Sequence, residues 1–127
     1  MQKNFDELLK IIKTLPDEEL KIALEDYHAA DIADVLQTLS PDERQRIYSL
    51  LDNAFLAEIM SFYDDVEEYV EELSAEKTAD IIEEMDTDDA VELLNELDKE
   101  DKQEIIELLE EDIKESVLTV DKYEKDL

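Results

Sequence analysis

The sequence predicts an all-α fold, a right-handed superhelix (α-solenoid) built from short helical hairpins, with about ten short helices and a 12-residue repeat. The first supporting observation is that apolar residues recur with this period. The second is that residues typical of helix N-caps separate the repeats. The third is composition: 43% of the 127 residues are hydrophobic, which is too many for a disordered acidic segment.

Each repeat ends on an apolar residue, called its anchor here. Successive anchors lie 12 residues apart, except for one step of 10 residues from Tyr63 to Leu73. The residues three and four positions before each anchor are also apolar, which places all three on one helical face. A tenth unit is partial, because Val117 and Leu118 keep the spacing but the anchor position holds Asp121. The nine anchors are Leu15, Tyr27, Leu39, Leu51, Tyr63, Leu73, Met85, Leu97 and Leu109.

Helix starts are marked independently by the residues that follow the anchors. Ser40 is followed by Pro41 at the first helical position. Glu43 lies three residues after Ser40, so Ser40 and Glu43 form a complete capping box. We therefore expect helices of roughly nine residues separated by turns of about three, because both signals share one register. Six of these following residues are of capping type: Ser40, Asp52, Asp64, Ser74, Asp86 and Asp98.

Helices this short need neighbours to bury their apolar stripe. A stack of hairpins, with about two units to each hairpin, provides those neighbours economically. A compact bundle without repeats is the alternative fold, whereas caps at every repeat exclude a long coiled coil. The sequence contains no convincing strand.

The composition also excludes several functions. With no Cys, no Gly and one His, the chain has no thiolate chemistry, no glycine-rich phosphate loop and no multi-histidine metal site. There are 40 acidic and 12 basic residues, giving a net charge of −28, and a surface of this sign disfavours nucleic acid. No apolar stretch is long enough to span a bilayer, so we expect no direct membrane insertion. We also expect no enzymatic activity.

With 40 acidic residues, some carboxylates must lie close to one another by chance. The proximity of two carboxylates therefore does not by itself indicate a functional site. Most will form a solvated acidic surface, and nothing in the sequence marks a pocket for an acid–base pair. Besides a solvated surface and an acid–base pair, a third interpretation is that the carboxylates act together and bind many weakly held divalent cations between acidic surfaces. Mg²⁺ suits it because this hard ion prefers oxygen and keeps most of its waters. The shortened unit also collects Asp64, Asp65, Glu67 and Glu68 at one junction.

Three other polar residues have simple structural interpretations. His28 stands where a helix begins and is interpreted as a capping or partly exposed turn residue rather than a ligand. Arg44 and Arg46 are placed on the exposed side of the helix that begins at Pro41, where surface ion pairs with nearby acids would explain them.

One part of the chain resembles a known family. Residues 28–36 read HAADIADVL and residues 39–44 read LSPDER. This resembles the cytosolic N domain of MgtE-family magnesium transporters, where the runs are approximately H-P-A-D-I-A-D-x-L and L-S-P-E-E-R. The resemblance extends from about Leu20 to the C-terminus. Ala29 replaces the family's proline, the unit that ends at Leu73 is short, and the CBS and transmembrane domains are not in this sequence.

The resemblance implies a domain organisation and a function. Residues 1–122 would form the superhelix, and residues 123–127 would begin a linker toward a CBS domain. The domain would lie on the cytoplasmic side of the membrane, sense Mg²⁺ and gate transport, with CBS and transmembrane domains of the same transporter as partners. The whole transporter would be a homodimer, and the isolated domain a monomer.

The resemblance also implies metal ligands. The family's interfacial acids fall on Glu58, Asp88 and Glu92, which would bind weakly held, hydrated Mg²⁺ shared with a partner domain. The alternative function is a non-enzymatic acidic helical-repeat adaptor that binds a protein partner, similar to the flagellar switch protein FliG.

Overall fold

The computed structural model describes the backbone of residues 2–125 and the side chains of residues 4–122. Within that range the chain forms ten α-helices and no strand, which confirms the predicted all-α fold. The helices are α1 (Gln2–Thr14), α2 (Asp17–Leu24), α3 (Ala29–Leu36), α4 (Pro41–Leu50), α5 (Asn53–Met60), α6 (Val66–Val70), α7 (Ala75–Ile82), α8 (Thr87–Asn95), α9 (Lys99–Leu108) and α10 (Glu111–Lys125).

The helices group into two compact units. Unit 1 comprises Met1–Tyr63 with α1 to α5, and unit 2 comprises Asp64–Leu127 with α6 to α10. In unit 1, α3 packs against both α1 and α5; in unit 2, α7 packs against α9 and α8 against α10. Each of these four pairs joins a helix to the next but one, which is the arrangement expected of stacked hairpins. The predicted repeat fold is therefore confirmed within each unit.

The core of each unit is formed by the apolar positions of the repeat. Val35 and Leu36, at four and three residues before the Leu39 anchor, are fully buried, and Ile81 and Ile82 are buried in the same way in unit 2. Burial of a Val, Leu or Ile side chain contributes about 1.5–3 kcal/mol. These contributions stabilise helices of eight to ten residues that would be marginal in isolation.

The 10-residue step of the sequence shortens one helix. α6 has five residues, whereas α5 and α7 have eight each. Its N-cap is Asp65, so the prediction that Asp64 caps this unit was wrong by one position. The predicted linker from residue 123 remains a prediction: α10 continues to Lys125, while Asp126 and Leu127 lie outside the described residues.

Most predicted helix starts are confirmed. The Ser40 side chain accepts a hydrogen bond from the backbone N–H of Glu43, and the Glu43 side chain accepts one from the backbone N–H of Ser40. Ser74 and Asp98 each accept the backbone N–H three residues later. His28 is exposed at the N-cap of α3, as predicted. Two further acids occupy N-cap positions without a side-chain cap hydrogen bond: Asp52 and Asp86.

The prediction that both arginines of α4 lie on an exposed side was wrong for Arg44, whereas Arg46 forms the predicted ion pair with a nearby acid. Arg44 is only 6% exposed, and its guanidinium donates to the carbonyl oxygens of Leu36 and Leu39 at the end of α3. Arg46 is half-buried and donates to two carbonyl oxygens near the end of α1, as well as to Asp17 at 2.7 Å. Both side chains thus donate to carbonyl groups at helix ends, where helical N–H donors run out.

Candidate metal centre

The three predicted metal ligands lie on exposed helix faces. Glu58 is on α5 in unit 1, and Asp88 and Glu92 are on α8 in unit 2. Asp88 and Glu92 share one face of α8, because residues four apart are neighbours on a helix. The other side of α8 is in the core, where Val91 and Leu94 are buried. Their role as ligands remains a prediction.

The structure brings together a different set of carboxylates. One oxygen atom from each of Glu67, Glu71, Asp98 and Asp101 lies within 4.8 Å of the others. This group, which we call the acidic cluster, belongs entirely to unit 2. Glu67 and Asp101 are half-buried, and Glu71 and Asp98 are exposed. The acidic cluster is the one convergence of three or more potential metal ligands among the residues that the structure describes.

Two element ends position the acidic cluster. Glu67 lies in α6, and Glu71 is the C-cap of that helix, so the two residues are four apart on one face. Asp98 is the N-cap of α9, and one oxygen of its carboxylate accepts the backbone N–H of Asp101 at 2.8 Å. That hydrogen bond fixes the orientation of the Asp98 carboxylate. The cluster therefore combines the end of one short helix with the first turn of another.

A cleft of about 320 Å³ adjoins the acidic cluster. Its walls include Glu71, Asp98 and Asp101 from the cluster, together with Glu104 of α9. Thr78 of α7 also lines the cleft and is 1% exposed. Its Oγ1 has no hydrogen-bond partner among the described residues. The remaining lining residues are apolar: Val70, Leu73, Ala75 and Ile105.

The electrostatics of this region favour a cation. Residues 64–127 contain 27 acidic and 6 basic residues, a net charge of −21, whereas residues 1–63 contain 13 and 6, a net charge of −7. Desolvation, followed by the negative charge of Asp98, raises the pKa of Asp101 above its ordinary value. Within the described part of the chain, none of the four cluster carboxylates forms an ion pair with Lys or Arg.

Sequence reasoning identified only one member of the acidic cluster in advance. Glu67 was part of the acidic junction at the shortened unit, but nothing connected it with residues 98–101. Two local signals were present: the four-residue spacing of Glu67 and Glu71, and an acid at both the N-cap and third position of α9. Neither signal indicates that the two segments meet, because they are separated by a complete hairpin.

Among the helices that the structure describes, none combines the length and apolar character needed to cross a membrane.

Comparisons with known proteins show similarity over most of the chain. Residues 27–126 match the model of the MgtE intracellular N domain family. A solved structure described as the soluble part of a magnesium transporter is similar, with 27% sequence identity and a TM-score of 0.84. The match covers 96% of this chain and 49% of that one, so this chain spans about half of its length. No curated protein matches the sequence.

Proposed function

The chain belongs to the MgtE intracellular N domain family, and from this premise we propose that it is the Mg²⁺-sensing regulatory domain of a magnesium transporter. In this role it would lie on the cytoplasmic side of the membrane and act on the CBS and transmembrane domains of the same transporter. The family match supports the proposal most strongly. The similarity to the soluble part of a magnesium transporter supports it further.

The charge of the domain supplies a physical mechanism for gating. With a net charge of −28, it repels any acidic neighbour when cations are scarce. Two carboxylates 4 Å apart repel by about 1 kcal/mol in water and by more where an interface excludes solvent. Divalent ions that bridge such pairs would favour the docked state. One site of millimolar affinity contributes about 4 kcal/mol of binding free energy. Several such sites that bind the ion only in the docked state would therefore shift the population from the undocked to the docked state.

The exposed acids Glu58, Asp88 and Glu92 are the proposed bridging ligands. Each has its carboxylate on a solvent-facing side of its helix, where a partner domain can approach. Asp88 and Glu92 can hold one hydrated ion between them because they are neighbours on α8. None of them requires a buried pocket, since a hydrated Mg²⁺ needs only one or two carboxylates.

The test uses the complete transporter that contains this domain. The triple variant E58Q/D88N/E92Q should close only at an internal Mg²⁺ concentration that is higher by about tenfold, because fewer carboxylates bridge the interface. Ion flux into proteoliposomes, measured against internal MgCl₂, gives this concentration. The triple variant D34N/E96Q/E107Q removes the same charge from other exposed positions and serves as the control. Equal Mg²⁺ responses in both variants and the wild type would contradict the proposal and favour the adaptor function.

A further inference from the structure

We propose that residues 118–122 of α10, called the latch segment here, are held in place by one polar triad and can be released while the rest of unit 2 stays folded. The triad consists of Asn95 of α8, Lys102 of α9 and Asp121 of α10. In the released state the latch segment leaves α8 and α9, and the part of α10 around Val117 stays docked. All of these residues belong to unit 2, so the latch is independent of the proposed function.

The three side chains of the triad bond to one another in a closed ring. The two carboxylate oxygens of Asp121 accept from different donors, the side-chain amide of Asn95 at 3.1 Å and the ammonium of Lys102 at 3.2 Å. Lys102 also donates to the side-chain oxygen of Asn95. Asp121 is 8% exposed, and the Lys102 side chain is 18% exposed. Loss of Asp121 would therefore leave a partly buried ammonium group without its counter-charge.

Apolar contacts contribute little to the docking of the latch segment. Among its five residues Asp121 is the one that is buried, whereas Leu118 is 47% exposed and Val120 is half-buried. Within residues 111–122 the buried apolar side chain is Val117, which precedes the latch segment. Release of the segment would therefore expose little apolar surface, and the hydrophobic effect opposes it only weakly.

The triad stands where the repeat pattern places an apolar anchor. Nine repeats have an apolar residue at this position, and the tenth has Asp121. Removal of two charges from water costs free energy that offsets much of their attraction, so a buried ion pair contributes less to docking than well-packed apolar side chains can. The directional bonds of the ring also hold the latch segment in one geometry. Such a contact is specific when formed and is broken at a lower cost than an apolar anchor.

The experiment measures amide hydrogen exchange of the 127-residue chain by NMR, at urea concentrations too low to unfold it. The amides of residues 119–122 should exchange at least about tenfold faster than those of residues 91–94 in α8. Low urea should accelerate residues 91–94 and leave residues 119–122 almost unchanged, because the effect of urea scales with the surface that an opening exposes. Equal rates and equal urea dependence in the two segments would show that α10 opens only with its unit, and would overturn the proposal.

Two variants test whether the triad holds the latch segment. D121A should accelerate exchange of residues 119–122 about tenfold, because Lys102 loses its counter-charge. The apolar replacement K102M/D121L should instead slow their exchange about threefold or more, because it restores an apolar anchor. The control Q103M/E115L makes similar changes at exposed positions of the same two helices and should exchange like the wild type. An unchanged rate in D121A, or a rate in K102M/D121L that is not below that of the wild type, would contradict the latch.

Discussion

Arg44 illustrates how one charged residue can stabilise an all-helical repeat from inside. Its guanidinium donates to the carbonyl oxygens of Leu36 and Leu39 at the end of α3. The Leu36 carbonyl also accepts the backbone N–H of Leu39 at 3.1 Å, so Arg44 is its second donor. The side chain is buried, so its stem also packs against the core. Arg44 therefore ties α4 to the preceding helix, and its main role is structural.

Replacement of Arg44 by Met should lower the free energy of unfolding by about 1–3 kcal/mol, because the Leu39 carbonyl loses the Arg44 hydrogen bond and the Leu36 carbonyl loses one of its two, while the apolar volume is retained. Urea unfolding followed by circular dichroism measures this loss. K10M removes one positive charge from an exposed position of α1 and is the matched control. Equal midpoints for R44M and K10M would show that the hydrogen bonds of Arg44 do not stabilise the fold.

Asp121 occupies an anchor position that is apolar in the other nine repeats. Its carboxylate accepts hydrogen bonds from Asn95 at 3.1 Å and from Lys102 at 3.2 Å. The side chains of Asp121 and Lys102 are only 12% and 18% exposed, so this pair is screened less than one on the surface. A polar network thus replaces the apolar contact at this anchor, and it connects α8, α9 and α10.

The variant D121A should therefore lose about 1–3 kcal/mol of unfolding free energy, since Lys102 would remain partly buried without its counter-charge. E115A, an exposed change on the same helix, should stay near the wild type. Thermal and urea melts of the two variants provide the comparison. An unchanged D121A would contradict the proposed role of this network.

At the scale of a helix, the capping box that opens α4 links stability to pH. The hydrogen bond from the Ser40 backbone N–H, followed by that from Lys13, holds the pKa of Glu43 below its ordinary value of 4.5. A carboxylate with a depressed pKa stabilises the folded state above its unfolded pKa. That contribution is lost as pH falls through the folded pKa.

We expect E43Q to be less stable than the wild type at pH 7, and the difference to disappear as the pH falls below 4.5. The physical reason is that protonated Glu and Gln are both neutral. Urea midpoints measured from pH 7 to pH 3 test this, with E107Q reporting the general effect of removing one negative charge. Parallel pH profiles for E43Q and E107Q would be inconsistent with a depressed pKa at Glu43.

The helices themselves could be predicted from the sequence, whereas contacts between helices could not. The anchors and caps predicted the helices because short-range periodicity and backbone hydrogen bonding are local. Arg44 was misplaced because its partners are carbonyl groups of another helix, which a helical projection does not show. The acidic cluster was missed because it joins α6 to the start of α9, and sequence spacing does not specify which element ends meet.

At the scale of the whole molecule, negative charge is distributed unevenly. Unit 2 has a net charge of −21 and unit 1 has −7, although the two contain nearly equal numbers of residues. Self-repulsion destabilises a compact state, and it grows with net charge. Unit 2 should therefore depend more strongly on cations than unit 1, independently of any specific site.

Added NaCl should slow backbone hydrogen exchange more in residues 66–125 than in residues 2–60, because a Debye length of about 10 Å at 0.1 M screens repulsion within each unit. Hydrogen exchange with mass spectrometry resolves the two segments. Equal responses of both segments to NaCl would contradict the role of charge asymmetry.

The way these helices end has an evolutionary consequence. No described residue has a positive φ, and six helices stop at right-handed C-cap residues instead of the left-handed glycine common elsewhere. Because any L-amino acid except proline readily adopts the right-handed conformation, a charged residue can occupy such a C-cap corner. Glutamate occupies four of these corners, and one of them is Glu71 of the acidic cluster. A scaffold whose bends tolerate every side chain can acquire or lose ligands at its corners while its backbone path stays the same.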